Sequence, residues 1–303
     1  MTRDIKLDNN TVLQDISGRK WTIKKLLGAG GFGKVYKVLP VESYYNINYA
    51  IAKIENLENI TIVMETLVYD SIYDVDKINN WMELHNINHL GIPEYYGCGC
   101  LKYCNNYYRF ILLEKLNINT SKLFSRRIKI SRIKLIKSIT IDILTALKYI
   151  HSYGISHGDI KPENIMLDIN NKAYLIDYGI SYHFMIKDKH VKYLKEQKGL
   201  RKGTVYYASL DSHNGATVTR RGDLESLGYC MVKWMNRKLS WENINRSNLV
   251  HAYKCDFIKR LHEGKLSYNK KSKFIYLFIN TVTKLSYDER PDYEALIKII
   301  LDY

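Results

Sequence analysis

An Asp, a Lys and an Asn are spaced through His157-Gly158-Asp159-Ile160-Lys161-Pro162-Glu163-Asn164, and a second Asp heads the later triplet Asp177-Tyr178-Gly179. Transfer of a phosphoryl group from a nucleotide needs a carboxylate to orient the attacking hydroxyl and accept its proton. It also needs oxygen ligands for the magnesium ions that neutralise the phosphates. In chain order Asp159 fits the first task, and Asn164 and Asp177 fit the second. Taken alone the first triplet is a weak signal, because a His-x-Asp near an Asn arises readily by chance.

The flanking sequence predicts elements that can position these groups. Ile133, Ile136, Ile139, Ile143, Leu147 and Ile150 recur at three-to-four spacing and predict an amphipathic helix over Ser131 to His151, which Gly154 ends. The short apolar runs Ile165-Met166-Leu167 and Ala173-Tyr174-Leu175-Ile176 flank a polar turn and predict a hairpin that returns Asp177 beside Asn164. Nearer the start, Leu27-Gly28-Ala29-Gly30-Gly31-Phe32-Gly33-Lys34-Val35 matches G-x-G-x-x-G-x-V, in which glycines let backbone amides approach phosphates. A dinucleotide-binding turn would open a helix there and place an acidic residue about 20 positions on. Here Val35 to Leu39 reads as strand, Pro40 stops a helix, and Ala50-Ile51-Ala52-Lys53 puts a cation where the acid would stand.

Together these features resemble the eukaryotic-type protein kinases from Trp21 to about Tyr293. The resemblance implies that Lys53 contacts the α- and β-phosphates and pairs with a helix Glu. Glu65, in Ile62-Val63-Met64-Glu65-Thr66-Leu67, is the candidate, with Leu67 and Val68 continuing an apolar helix face. Glu55 and Glu58 are rivals, and Glu55 is disfavoured as too near on the same strand to face Lys53. Aminoglycoside and choline kinases share His-Gly-Asp with a later Asn. Three features favour a protein kinase: Lys161, expected to contact the γ-phosphate, Gly203-Thr204 ahead of a peptide-binding segment, and a buried Asp in Asp223-Leu224-Glu225-Ser226-Leu227-Gly228.

Departures from the common kinase pattern narrow the group. Gly158 replaces the Arg that binds a phosphate on the activation loop, which implies activity independent of loop phosphorylation. Tyr178 replaces the usual Phe. Ala208-Ser209-Leu210-Asp211-Ser212-His213 stands for the usual Ala-Pro-Glu, with Asp211 in the place of the Glu and Arg290 its expected buried partner. With Arg220 to Met231, these residues resemble the vaccinia-related kinases, nearest to their poxvirus members. That resemblance implies phosphorylation of Ser or Thr in proteins, with the host's DNA-bridging barrier-to-autointegration factor as substrate and viral DNA replication in the host cytoplasm as the setting. A degraded relative lacks the catalytic Asp, whereas this chain keeps Lys53, Asp159, Lys161, Asn164 and Asp177. The alternatives are a silent interaction protein and a small-molecule kinase.

Composition bounds the rest. The 303 residues suit one two-lobed domain. Residues 1–18 read as a polar segment without the apolar core of a signal peptide, and no run approaches the roughly 18 apolar residues of a membrane span. With the chain ending at Tyr303, tail-based anchoring is not expected. Five cysteines, an odd count, indicate reduced thiols. Cys98, Cys100 and Cys104, with His85 and His89 upstream, lack the paired spacing of a zinc site. The net charge of +15 gathers partly in Lys187 to Lys202, where an activation loop belongs, and in Arg126 to Lys134, read as a solvent face. Such a rim suits acidic or DNA-bound substrates and non-specific, salt-sensitive nucleic-acid contact.

The expected architecture is therefore α+β and bilobal, with a small β-rich lobe over 19–113, a hinge at 114–116 and a helical lobe over 117–303, working as a monomer. ATP and Mg2+ are expected between the lobes. Leu27, Gly28, Ala29, Gly30, Gly31, Phe32, Gly33 and Val35 would cover the phosphates, and Lys53 and Glu65 would hold them. Glu114 and Leu116 would serve the adenine, Asp159 and Lys161 the transfer, and Asn164 and Asp177 the metal.

Overall fold

The structure, a computed structural model, describes residues 7–30, 33–42, 47–127, 130–196 and 203–303. They form two compact units, one from the described residues of Met1–Ile78 with Pro93–Leu116, the other from Asn79–Ile92 with Asn117–Tyr303. Residues 79–92 thus group with the helical unit, which differs from the unbroken small lobe expected over 19–113. The cause is local packing: His89 Nε2 donates to Ala173 O at 2.8 Å, Leu175 N donates to Gly91 O at 2.9 Å, and the Trp81 ring meets Tyr149 edge-on.

The first unit is built on an antiparallel sheet of β1 (Val12–Gln14), β2 (Lys20–Ala29), β3 (Gly33–Pro40), β4 (Ala50–Asn56), β5 (Tyr95–Tyr103) and β6 (Asn106–Leu113), in the order β1-β2-β3-β4-β6-β5. Period-two patterning sends Tyr36, Val38, Ala50, Ala52 and Ile54 inward, onto a core that includes Trp21, Ile23, Phe110 and Leu112. Cys104 and Asn105 take positive φ values of 47° and 60°, which makes the two-residue turn between β5 and β6 that suits strand twist. Helix α1 (Ile60–Ile72) follows β4, its first turn capped by the Asn59 side chain. Its apolar face differs from the expected one: Val68 is buried, whereas Leu67 is 52% exposed. Helix α2 (Val75–Leu84) carries the chain across the unit boundary.

The second unit is mainly helical. β7 (Ile118–Asn119) and α3 (Thr120–Ser125) lead to α4 (Arg132–Ser152), whose Ile136, Ile139, Ile143, Leu147 and Ile150 are all buried. Gly154, at φ +70°, turns the chain into β8 (Ile155–Ser156), and a Cβ there would lie 2.6 Å from Met185 Cβ. β9 (Ile165–Leu167) and β10 (Ala173–Leu175) form the hairpin, with β7 as third strand. After the short pairs β11 (Tyr182–His183) with β8 and β12 (Met185–Ile186) with β13 (Lys189–His190) come α5 (Leu210–His213), α6 (Arg220–Asn236), α7 (Ser247–His262), α8 (Lys273–Val282) and α9 (Tyr293–Asp302). α4 packs on α6 and α9, and α6 on α8. Among the described residues no helix is long and apolar enough to cross a membrane. The basic stretch Lys187 to Lys202 lies outside the described residues at 197–202, as Arg126 to Lys134 does at 128–129. Arg132 is not on a solvent face as expected: its Nη1 donates to Trp234 O at 2.6 Å and its guanidinium lies over the Phe124 ring.

Candidate active site

In the first unit, the β2–β3 turn is closed by Gly30 N donating to Gly33 O at 2.9 Å, with Gly28 opposite Val35 and Ala29 opposite Lys34. Gly31 and Phe32 lie outside the described residues. The glycines differ in kind. A Cβ on Gly28 or Gly30 would meet nothing within 4 Å, whereas one on Gly33 would lie 2.4 Å from Ile54 O. Gly33 is thus required by the close approach of β3 and β4, while Gly28 and Gly30 leave the turn's surface bare. Leu27 is 43% exposed and Val35 is half-buried.

The register of β4 places Lys53 opposite Val35 on one side and Ile111 on the other. Its Nζ lies 2.6 Å from Glu65 Oε2 on α1 and 3.3 Å from Glu55 Oε1. Glu55 was expected to be unable to face Lys53. Residues two apart on a strand point to the same face, however, and both carboxylates reach the one ammonium. Glu55 Oε2 also accepts from Thr61 Oγ1 at 2.6 Å, which ties the strand to the first turn of α1. Glu55 and Glu65 are both buried, at 0% and 1% exposure. After β6 the chain runs without regular structure: Glu114 N donates to Glu94 O at 2.9 Å, and Glu114 Oε1 accepts from Glu94 N at 3.0 Å. Leu116 is buried, and its N–H has no protein acceptor among the described residues.

In the second unit, the loop after β8 is organised around two carboxylates. The half-buried Asp159 accepts at Oδ1 from Thr204 N (2.7 Å) and Thr204 Oγ1 (2.9 Å), and at Oδ2 from Lys161 Nζ (2.5 Å) and Asn164 Nδ2 (3.3 Å). Lys161 Nζ also donates to Thr204 Oγ1 at 3.0 Å. A Cβ on Gly203 would lie 2.5 Å from Gly158 O, so only glycine lets Thr204 come this close to Asp159. Asn164 Nδ2 donates to Asp159 O at 3.0 Å, and Ile176 N donates to Asn164 O at 3.0 Å. The hairpin therefore brings Asp177 back beside Asn164, and Asp177 sits at φ +68°.

The second carboxylate, Asp223 on α6, is 1% exposed and accepts from His157 N (2.7 Å), Gly158 N (2.9 Å) and His151 Nε2 (2.9 Å). It fixes the backbone just before Asp159. Gly158 takes φ +82°, and a Cβ there would lie 2.8 Å from Ile180 O, so the position excludes any side chain. The His157 ring stands edge-on to Tyr178. Its Nε2 donates to Ile176 O at 3.0 Å while Nδ1 accepts from Asp159 N at 3.2 Å, which settles the neutral Nε2–H tautomer. His151 is likewise neutral: burial holds it below the usual imidazole range, against the pull of Asp223, and its Nδ1 accepts from Tyr293 Oη.

One expectation is corrected here. Asp211, 3% exposed, is paired not with Arg290 but with Arg221, whose Nε and Nη2 meet its two oxygens at 2.7 Å each. Arg290 is exposed. Arg221, in the first turn of α6, also donates to Leu285 O at 2.8 Å, so one guanidinium spans both neighbours. Sequence reasoning also missed a buried cation. Lys254 interrupts the buried stripe Val250, Ile258 and Leu261 of α7 and is itself 0% exposed. A Lys in register with an apolar stripe was the available signal. Among the described residues no cluster of three or more His, Cys, Asp or Glu could hold a metal ion. Asn164 Oδ1 and the Asp177 carboxylate are hard oxygen donors on adjacent hairpin ends, a donor set that fits Mg2+.

Residues 21–301 match the protein kinase domain family. A probable serine/threonine-protein kinase of fowlpox virus is 54% identical over 95% of this chain and 97% of its own length. The B1 kinase of vaccinia virus is 33% identical over 96% of each chain. The human serine/threonine-protein kinase VRK2 is 33% identical over 98% of this chain and 59% of its own length. In fold, the solved structure of vaccinia related kinase 3 superposes with a TM-score of 0.86 over 98% of this chain and 91% of that one, at 24% identity.

Proposed function

The chain belongs to the protein kinase family, in the group of poxvirus serine/threonine kinases and vaccinia-related kinases, and from that premise we propose that it is catalytically active. The proposed reaction is transfer of the γ-phosphate of ATP to Ser or Thr of proteins. The observation that carries this reading is the convergence of Lys161, Asn164 and Thr204 on the Asp159 carboxylate. A degraded relative would have no reason to keep that polar set.

In this reading the Asp159 carboxylate orients the substrate hydroxyl and takes its proton, and Lys161 neutralises charge beside it. Asn164 and Asp177 would hold Mg2+, which supplies charge neutralisation for the phosphates. The ammonium of Lys53, steadied by Glu65, serves the α- and β-phosphates, and the open Leu116 N–H serves the adenine. Catalysis is then chiefly positioning and electrostatic stabilisation. Gly158 leaves no guanidinium for a loop phosphate, which supports a site active without loop phosphorylation.

The finer proposal is that a poxvirus-type role extends to the substrate: the DNA-bridging barrier-to-autointegration factor, phosphorylated at cytoplasmic sites of viral DNA replication. The resemblance to the B1 kinase group and the +15 charge of the chain support it. The deciding assay compares wild type with Asp159→Asn on labelled ATP, offering purified barrier-to-autointegration factor, casein, choline and an aminoglycoside. Label in protein at Ser or Thr, lost in the variant, is expected. Label only in the small molecules would overturn the protein kinase reading. Absence of label, with no rise in melting temperature on adding ATP and Mg2+, would leave a silent interaction protein.

A further inference from the structure

Beneath the segment that follows Thr204 lies a set of buried polar side chains that phosphoryl transfer does not use. Lys254 Nζ donates to Val205 O at 2.9 Å and to Ala208 O at 2.5 Å, and lies 3.2 Å from His213 Nε2. An ammonium has three donors and no acceptor, so three acceptors around Nζ fit the protonated form, with His213 accepting at Nε2. The rings of Tyr229 and Trp241 lie 4.8 Å and 5.6 Å from the same nitrogen. Glu225 on α6, 5% exposed, completes the set, its Oε1 accepting from Tyr229 Oη at 2.6 Å and from Leu210 N at 2.8 Å. Burial pulls Lys254 down to about 7 and pushes Glu225 up to about 7, while their mutual attraction opposes both shifts. Trp241 Nε1 adds a donor to Tyr206 O at 2.8 Å.

The backbone of one short segment is thus held from inside at Val205 O, Tyr206 O, Ala208 O and Leu210 N. Its near end is tied to the Asp159 carboxylate through Thr204. The segment's own backbone bonding is one turn, Tyr207 N and Ala208 N donating to Thr204 O at 2.8 Å and 2.9 Å, and no helix or strand ladder holds Val205–Ala208. Thr204, Val205 and Tyr206 remain half-buried, leaving an outer face. A buried ammonium carries a desolvation cost that an apolar residue in the α7 stripe would avoid. What the lysine supplies instead is two directed hydrogen bonds to carbonyls that an apolar side chain would leave unsatisfied.

Building on the kinase reading, we propose that Lys254 and Trp241 are positioning residues that shape Val205–Ala208 into the shelf on which the substrate chain lies beside its phospho-acceptor. They therefore govern affinity for the protein substrate rather than the transfer step. Lys254→Met keeps the stem and removes the donors. Trp241→Phe removes a single donor and serves if the first variant folds poorly.

The test is steady-state kinetics with a peptide cut from a phosphorylated site, together with amide hydrogen exchange over Val205–Leu210. In both variants the KM for peptide should rise about tenfold, the KM for ATP should stay unchanged, and kcat should remain within about threefold, a tenfold change being roughly 1.4 kcal/mol. Exchange over Val205–Leu210 should accelerate. A merely structural role would lower kcat in proportion to the folded fraction and leave KM alone, and that result, or wild-type kinetics in both variants, overturns the inference. Wild-type protein inactive on every protein substrate removes the kinase reading and this inference with it.

Discussion

The two units hold the charges of their candidate site residues in opposite balance. In the first, one ammonium, Lys53, serves two buried carboxylates, Glu55 and Glu65. In the second, the single half-buried carboxylate of Asp159 is supplied by Lys161, Asn164 and both the N–H and hydroxyl of Thr204. Removing one partner from a buried pair leaves an uncompensated charge in a dry site, whereas a partly solvated, over-supplied carboxylate leaves neighbours that water can satisfy. Substitution at Asp159 should therefore separate chemistry from folding. Substitution at Lys53 should not, although both positions would be chosen to inactivate a kinase.

The largest effect is expected for Asp159→Asn, which should lower turnover roughly 10²- to 10⁴-fold, the usual share of a positioned acid or base. Its melting temperature should stay within a few degrees of wild type; a steep loss of both would break the claim that Asp159 is over-supplied. Lys53→Met should also lower transfer, by a smaller factor than Asp159→Asn. Because it removes the one ammonium that both buried carboxylates, Glu55 and Glu65, share, it should in addition cost about 3–5 kcal/mol of stability by urea unfolding. Adding Glu65→Gln to that variant should recover part of the loss. No recovery would show that the surplus of buried carboxylate is not the cause.

A third substitution probes a one-to-one pair. Arg221→Met leaves Asp211 buried, but its guanidinium is partly solvated, so a smaller cost of about 2–3 kcal/mol is expected. Arg290→Met should stay within about 0.5 kcal/mol, as at other exposed positions. Equal costs for the two arginines would restore Arg290 as the partner of Asp211.

The smallest effect concerns a buried group kept neutral. Burial depresses the folded-state pKa of His151, so the unfolded chain binds a proton that the folded chain refuses. Its contribution is present above the unfolded imidazole pKa and is lost as pH falls, by about 1.4 kcal/mol per pH unit between the unfolded and folded values. Acid melts of wild type against His151→Gln should show the shallower slope in the variant, and parallel slopes would remove His151 from the account.

Much of the candidate site's local structure was legible along the chain. Lys53, Asp159, Asn164 and Asp177 stand in short motifs whose flanking turns, strand alternation and helix period are read within a few residues. The β9–β10 hairpin and α4 form from those same local patterns. The inward face of α1 was legible at Val68 but not at Leu67, because adjacent helix residues diverge by about 100° and only packing selects the stripe. The assignment of 79–92 was not legible either, since it rests on contacts such as His89 with Ala173, 84 residues away.

The sequence alone determined which residue types stand beside which, and so the class of chemistry they can perform. Tertiary structure decided which charge meets which: Arg221 rather than Arg290 on Asp211, Glu55 as well as Glu65 on Lys53, and Lys254 beneath Val205–Ala208. The physical reason is that a formal charge reads the same in the sequence whether solvated or dry. Its partner is chosen only when distant segments close over it and desolvation makes an unpaired charge too costly to keep.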